Sequence, residues 1–168
     1  GHSQDAPLGV SERKIRYDLI LDSLSKLDQE GIELIPQTMP PFPWHFGGQR
    51  FQNLFMDPEE TAKFCQQNGY RVCLDISHSK LACNHHNWSF KKFVEIVAPY
   101  SALFHIVDAY GIDGEGLQIG DGDIDFVLLG EQLNELSPNI GFIPEIWQGH
   151  KNGGEGFWIA LDKLEQWF

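Results

Sequence analysis

The chain is poor in cysteine and in positive charge, and it has no long apolar run. Its three cysteines, Cys65, Cys73 and Cys83, form an odd count without a C-x-x-C spacing, which argues against a disulfide framework and against a thiolate zinc site. Lys and Arg number only 12 against 24 Asp and Glu, a formal net charge of −12. Proteins that bind nucleic acid do so largely through clustered cations on the phosphate backbone, so nucleic acid is disfavoured as a partner. No stretch approaches the roughly 20 apolar residues that span a bilayer, and no charged-apolar-small leader opens the chain. No membrane partner is expected, and a reduced, cytoplasmic setting is.

What is present is enough for one domain with a real core: 168 residues, 42% of them hydrophobic. The first residues, GHS, read as an expression-tag remnant. Residues 1–12 are therefore taken as remnant plus N-terminal extension, and 13–168 as the domain. Across that domain helix-like and strand-like segments alternate, with short Gly, Pro and Asn-rich breaks, as in βα units on a parallel sheet. The pattern predicts a helix over 13–31, with Ile15, Leu19, Leu21 and Leu24 at helical spacing, then strand 32–37 and a long aromatic loop over 38–57. Next come a helix opened by Pro58, strand 70–75, a polar loop holding His78, His85 and His86, and a helix over 89–99 with Ser89 as N-cap. Strand 102–109, a glycine-rich loop 111–124, helix 125–136, strand 140–147 and a closing helix from about 154 complete five helices and four strands.

In such folds chemistry collects where strands end and helices begin. Gln37, Asp75, Asp108 and Glu145 end the four strands and His105 lies inside the third, so each strand delivers a metal-competent or proton-competent group to one edge. Three loops are candidates for substrate. Trp44 and His45 offer an aromatic platform with a donor, although packing accounts for them equally well. Glu115 and Gln118 are polar groups on the glycine-rich loop. His150 and Lys151, ahead of the last helix, suit a phosphate or carboxylate at a helix N-terminus, and also an ordinary turn.

The segments LDISH, FHIVDA, GEGLQIGDGDIDF and IPEIW, in that order, resemble the second half of a xylose isomerase-like TIM barrel, the superfamily of sugar isomerases and epimerases. The fold class implied is α/β, four consecutive βα units with a preceding helix. A complete barrel has eight strands and typically ~250 residues, so the resemblance implies a half-barrel. Its partner would be a missing N-terminal half-barrel or a second copy in a homodimer. The runs PQTMPPFPWHFGGQRFQNLF and PEIWQGHKNGGEGFW are more narrowly similar to barrel domains associated with sialic-acid-synthase-like proteins of surface polysaccharide biosynthesis.

The resemblance implies a divalent metal ion, Mn, Mg, Co or Zn, held by Gln37, Asp75, His105 and Glu145. It implies proton transfer by Glu145 with His78, on a sugar or sugar phosphate, through a metal-stabilised enediolate. Gln37 departs from the pattern, because a carboxylate is expected there and an amide cannot take a proton. Two-base epimerisation is thereby in question. The alternative is a non-catalytic carbohydrate-binding or scaffolding domain attached to a sugar synthase, and a metal-dependent endonuclease is disfavoured by the charge.

Overall fold

The computed structural model describes residues 3–28, 30–45 and 48–168, with the backbone alone at 3, 44–45 and 48–49. Strand β1 (Ser3–Gln4) precedes helix α1 (Val10–Leu24), which starts three residues before the expected Arg13. Gly9 is its N-cap, and the Glu12 carboxylate reaches back to accept the Gly9 N–H at 3.1 Å, satisfying one of the helix-end donors. The four apolar residues expected on one face divide: Leu21 and Leu24 turn to the core with Tyr17 and Ile20, whereas Ile15 and Leu19 are 57% and 51% exposed. Tyr17 anchors the helix, its hydroxyl accepting the Phe55 N–H at 2.8 Å while its ring meets Phe55 edge-on.

The expected strand over 32–37 reduces to one parallel bridge, Gln37 to Cys73. Pro36 has no N–H to give a ladder, but its carbonyl accepts the Cys73 N–H at 2.7 Å, and Thr38 N–H returns to Cys73 O at 3.0 Å. Short strands β2 (Trp44–His45) and β3 (Gly48–Gln49) pair antiparallel, and β4 (Phe51–Gln52) pairs antiparallel with β1. Helix α2 (Pro58–Asn68) follows, with Asp57 capping the Glu59 and Glu60 amides and Gly69 ending it in the left-handed region at φ 70°.

Strand β5 (Val72–Asp75) is buried throughout and runs directly into α3 (Ile76–His86). This helix occupies the segment expected to be a polar loop, a correction explained by its surroundings. Asp75 caps its first turn, and Ile76, Ser77, Ser79, Leu81, Ala82 and Cys83 are all buried. Tertiary burial therefore overrides the weak helix propensity of Ser, His, Cys and Asn. His85 and His86, expected in a solvated loop, close this helix; His85 meets Phe42 at 5.0 Å and His86 stacks on Trp88 at 4.3 Å. Helix α4 (Phe90–Val97) starts as expected from Ser89, whose hydroxyl accepts the Lys92 N–H.

Strands β6 (Ser101–Ile106) and β9 (Phe142–Pro144) continue the parallel sheet in the order β5-β6-β9. Between them lie the antiparallel hairpin β7 (Asp108–Tyr110) and β8 (Gly114–Leu117), and helix α5 (Phe126–Leu136). The strand expected over 102–109 thus ends at Ile106, and Asp108 opens the hairpin. Helix α6 (Lys151–Leu164) closes the chain. Among the described residues there are six α-helices, one more than the pattern implied.

Parallel register places Asp75 beside His105 and His105 beside Ile143, so these residues share one face. The other face of β6, with Phe104 and Ile106, is buried with Leu74, Leu129 and Leu133 in the main core, each large apolar side chain contributing about 2 kcal/mol. The face bearing His105 is the open one, where Ile143 is 48% exposed. No described helix is long and apolar enough to cross a membrane.

Candidate metal centre

Asp75 is fully buried at the end of β5. Its Oδ1 accepts the His78 N–H at 2.9 Å, capping α3, and its Oδ2 accepts a hydrogen bond from the Gln37 amide at 2.8 Å. His105 Nδ1 lies 3.6 Å from Asp75 Oδ2 and 2.9 Å from Glu145 Oε2. That nitrogen is buried yet makes no well-aimed hydrogen bond. One donor atom each from Asp75, His105 and Glu145 lies within 4.8 Å of the others. Two carboxylates and an imidazole nitrogen thus converge on one point, as a cation site requires.

His78 sits beside this cluster. Its Nδ1 lies 2.9 Å from Thr38 O, to which it donates, and 3.4 Å from both the Gln37 amide and Asp75 Oδ2. Its Nε2 lies 3.4 Å from Glu115 Oε2. Thr38 was missed by the sequence reading, although it is a buried polar residue directly after Gln37. Its hydroxyl accepts the Asp75 N–H at 2.9 Å and meets Ser79 Oγ at 3.2 Å, while its carbonyl holds His78. One residue therefore orients both acid and imidazole.

Burial pushes the Asp75 carboxyl up, but the neighbouring His78, His105 and the His78 N–H outweigh it and hold the group below its usual range. Burial lowers His78, and the charges of Asp75 and Glu115 with the Thr38 carbonyl overcome this and raise it to about 9. Asp75, Cys73 and Glu145 likewise hold His105 well above the ordinary imidazole value. A raised folded-state pKa gives stability that is fully present below the ordinary value of about 6.5 and lost as pH rises through the folded one. In EDTA, the stability of the chain against urea is expected to fall between pH 6.5 and 9, His78 contributing on the order of 3 kcal/mol of the loss, and His78→Gln to lessen that dependence while the part due to His105 remains. A slope unchanged in the variant would contradict the pairing. The depressed Asp75 value is the same pairing seen from the acid side, lost as pH falls below the carboxylate range.

The remaining candidates distribute as follows. Gln118 spends its amide on backbone, donating to Gly156 O and accepting the Ile119 N–H, both at 3.0 Å. His150 and Lys151 are exposed, and Lys151 Nζ bonds Gln148 Oε1 at 2.8 Å. Asn152, Gly153 and Gly154 take positive φ, so regular helix begins only at residue 155. That start agrees with the closing helix expected from about residue 154. The side chains of Trp44 and His45 lie outside the described residues. Asp108, expected at the functional edge, is instead a fully buried structural acid. Its carboxylate accepts the amides of Ala109, Gly120, Gly122 and Ile124 at 2.8 to 3.3 Å. A cleft of about 250 Å³ between α1 and α2, lined by Val10, Tyr17 and Phe64 among others, is separate from the cluster and includes none of its residues.

Solved structures share this architecture. A D-tagatose 3-epimerase-like protein is 20% identical, with TM-score 0.61 over 92% of this chain and 56% of that one. The probable 3-DHS dehydratase AsbF involved in petrobactin synthesis, from Bacillus anthracis, is 12% identical, with TM-score 0.66 over 97% and 61%. A D-psicose 3-epimerase crystallised in the presence of D-fructose is 15% identical, with TM-score 0.63 over 96% and 57%. At such identities the likeness is one of fold, and the chain spans 56 to 61% of the length of these three relatives. No curated protein matches the chain. The family model described as xylose isomerase-like TIM barrel matches residues 2–166. With its α/β architecture and parallel strand order in agreement, the chain belongs to the xylose isomerase-like TIM barrel family.

Proposed function

We propose that this chain is a sugar-modifying isomerase or epimerase domain that works with a divalent cation. The observation that carries the reading is the convergence of Asp75, His105 and Glu145, with the buried His105 Nδ1 making no well-aimed hydrogen bond. The donor set, hard oxygens with one imidazole, suits Mn2+, Mg2+, Co2+ or Zn2+. Gln37 would join as a neutral donor through its amide oxygen. Bound there, such an ion would polarise a substrate carbonyl and the adjacent hydroxyl.

The protein's own groups do the rest. Asp75, immobile under four neighbours, anchors the site. Glu145, with a side chain 54% exposed, is free to take a proton from the carbon next to the carbonyl. Glu115 and His78 are proposed to face the substrate side of the site, and Trp44, His45, His150 and Lys151 are proposed as outer contacts to a sugar or sugar phosphate. The four consecutive strand positions correspond in this reading to the fifth to eighth strands of a barrel, completed by an N-terminal half or a second copy. The two runs resembling sialic-acid-synthase-associated barrels support a place in surface polysaccharide or sialic-acid-like sugar metabolism.

Calorimetric titration with Mn2+, together with NMR detection of deuterium uptake into a ketohexose in D2O, tests the reading. Mn2+ binding with uptake is the expected result, and absence of both refutes it. Gln37 favours a second reading, a carbohydrate-binding domain without turnover, for which sugar would bind and no deuterium would enter.

A further inference from the structure

Inverting a carbon centre by proton transfer needs two proton-handling groups. Glu145 is one, and Gln37 cannot be the other, because an amide neither accepts nor releases a proton at neutral pH. Resting on the function proposed above, we propose that Glu115 is the second catalytic acid/base of this site, with His78 as the residue that positions it.

Three features of the hairpin carry this. First, the His78 imidazole spans the two positions, with the Gln37 amide 3.4 Å from Nδ1 and the Glu115 carboxylate 3.4 Å from Nε2. The carboxylate and the amide stand on opposite sides of the ring. Both ring nitrogens are engaged, since Nδ1 also donates to Thr38 O at 2.9 Å. The imidazole is thus a support, and the group left for substrate is Glu115, whose side chain is 29% exposed.

Second, the residues around Glu115 are shaped to deliver it. A Cβ on Gly114 would fall 2.6 Å from Tyr110 O, and Gly116 takes φ +76° with the Trp147 Cβ only 3.0 Å from where its own would be. Side chains at either place would displace the hairpin. Third, Trp147 N–H donates to Gly116 O at 2.8 Å. That bond ties the residue after Glu115 to the second residue after Glu145, fixing the two acids relative to one another.

The step balances without an oxidant. Glu145 carboxylate takes the proton from the carbon next to the carbonyl of one epimer, breaking that C–H bond. Glu115, as the carboxylic acid, gives its O–H proton to the same carbon to form the other epimer. The next turnover begins after exchange with solvent or runs in reverse.

Glu115→Gln and Glu115→Asp, loaded with Mn2+, are to be followed by NMR in D2O with D-fructose and, separately, D-psicose. For Glu115→Gln, interconversion is expected to fall about 100-fold or more, while deuterium uptake continues into one epimer and not the other. Mn2+ affinity should stay within about twofold, and Glu115→Asp should recover part of the interconversion. Interconversion at the wild-type rate, uptake lost for both sugars, or loss of Mn2+ binding would each overturn the assignment. No uptake in the wild-type chain that binds Mn2+ overturns the proposed activity and this role with it. Uptake in the wild type combined with an unaltered Glu115→Gln overturns this role alone.

Discussion

Asp75→Ala is expected to abolish divalent-cation binding and to cost the metal-free fold about 2 to 4 kcal/mol. Two separate losses add up to this. The Oδ1 cap on the His78 N–H disappears, worth about 1 kcal/mol. The Oδ2 partner of the Gln37 amide and the counter-charge for His78 and His105 disappear as well. Buried groups left without partners cost about 1 to 3 kcal/mol, limited here because the imidazoles can release their protons.

Asp75→Asn separates the two parts, since its amide oxygen can still accept the His78 N–H while the negative charge is gone. Its stability should lie between wild type and Asp75→Ala, and Mn2+ affinity should fall by roughly 100-fold or more in both variants. Because the ion competes with protons for His105, wild-type binding should also strengthen as pH rises. Titration calorimetry and urea unfolding measure the two quantities independently. Wild-type Mn2+ affinity in Asp75→Asn would remove Asp75 from the site.

The other large effect concerns an acid with no place in the chemistry. Asp108→Ala is expected to destabilise the fold by about 4 kcal/mol or more, because four backbone amides lose their acceptor in a buried setting. These amides gather residues 119–124 around one carboxylate and so seat the loop that leads into α5. Asp108→Asn should also fail to restore stability, since its NH2 group would face amide donors. Gly122→Ala attacks the same joint, as a Cβ there would fall 2.2 Å from Ala109 O and 2.3 Å from Asp108 Oδ1. An Asp108→Ala chain that unfolds at the wild-type urea concentration would show that water takes over these amides.

Much of the architecture was legible in the chain. Pro58 and Ser89 mark helix starts through local chemistry, which needs no distant partner. The strands around Leu74 and Phe104 announce themselves as apolar runs because Leu74, Phe104 and Ile106 are buried in the main core. Asp75, His105 and Glu145 were also readable, since strands of one parallel sheet bring their carboxyl ends to a common edge whatever fills the loops between.

Other parts were written only in three dimensions. Helix α3 looked like a polar loop because its cap is also the site acid and its stability comes from burial of Ile76, Leu81 and Cys83 against the core. The strand at 32–37 looked regular, but Pro36 lacks the donor a ladder needs. Asp108 and Asp75 are indistinguishable in sequence, each an acid near a strand end. Their roles separate only because one turns towards a ring of amides and the other towards two imidazoles.

By itself, then, the sequence determined the βα order and placed an acid, an imidazole and a second acid on successive strands, since periodicity and caps are local properties. Which acids meet, that Thr38 holds both Asp75 and His78, and that Glu115 stands at the far side of the His78 ring were decided by tertiary structure. Those relations join residues 37 or more positions apart, and only sheet register and packing bring such residues together.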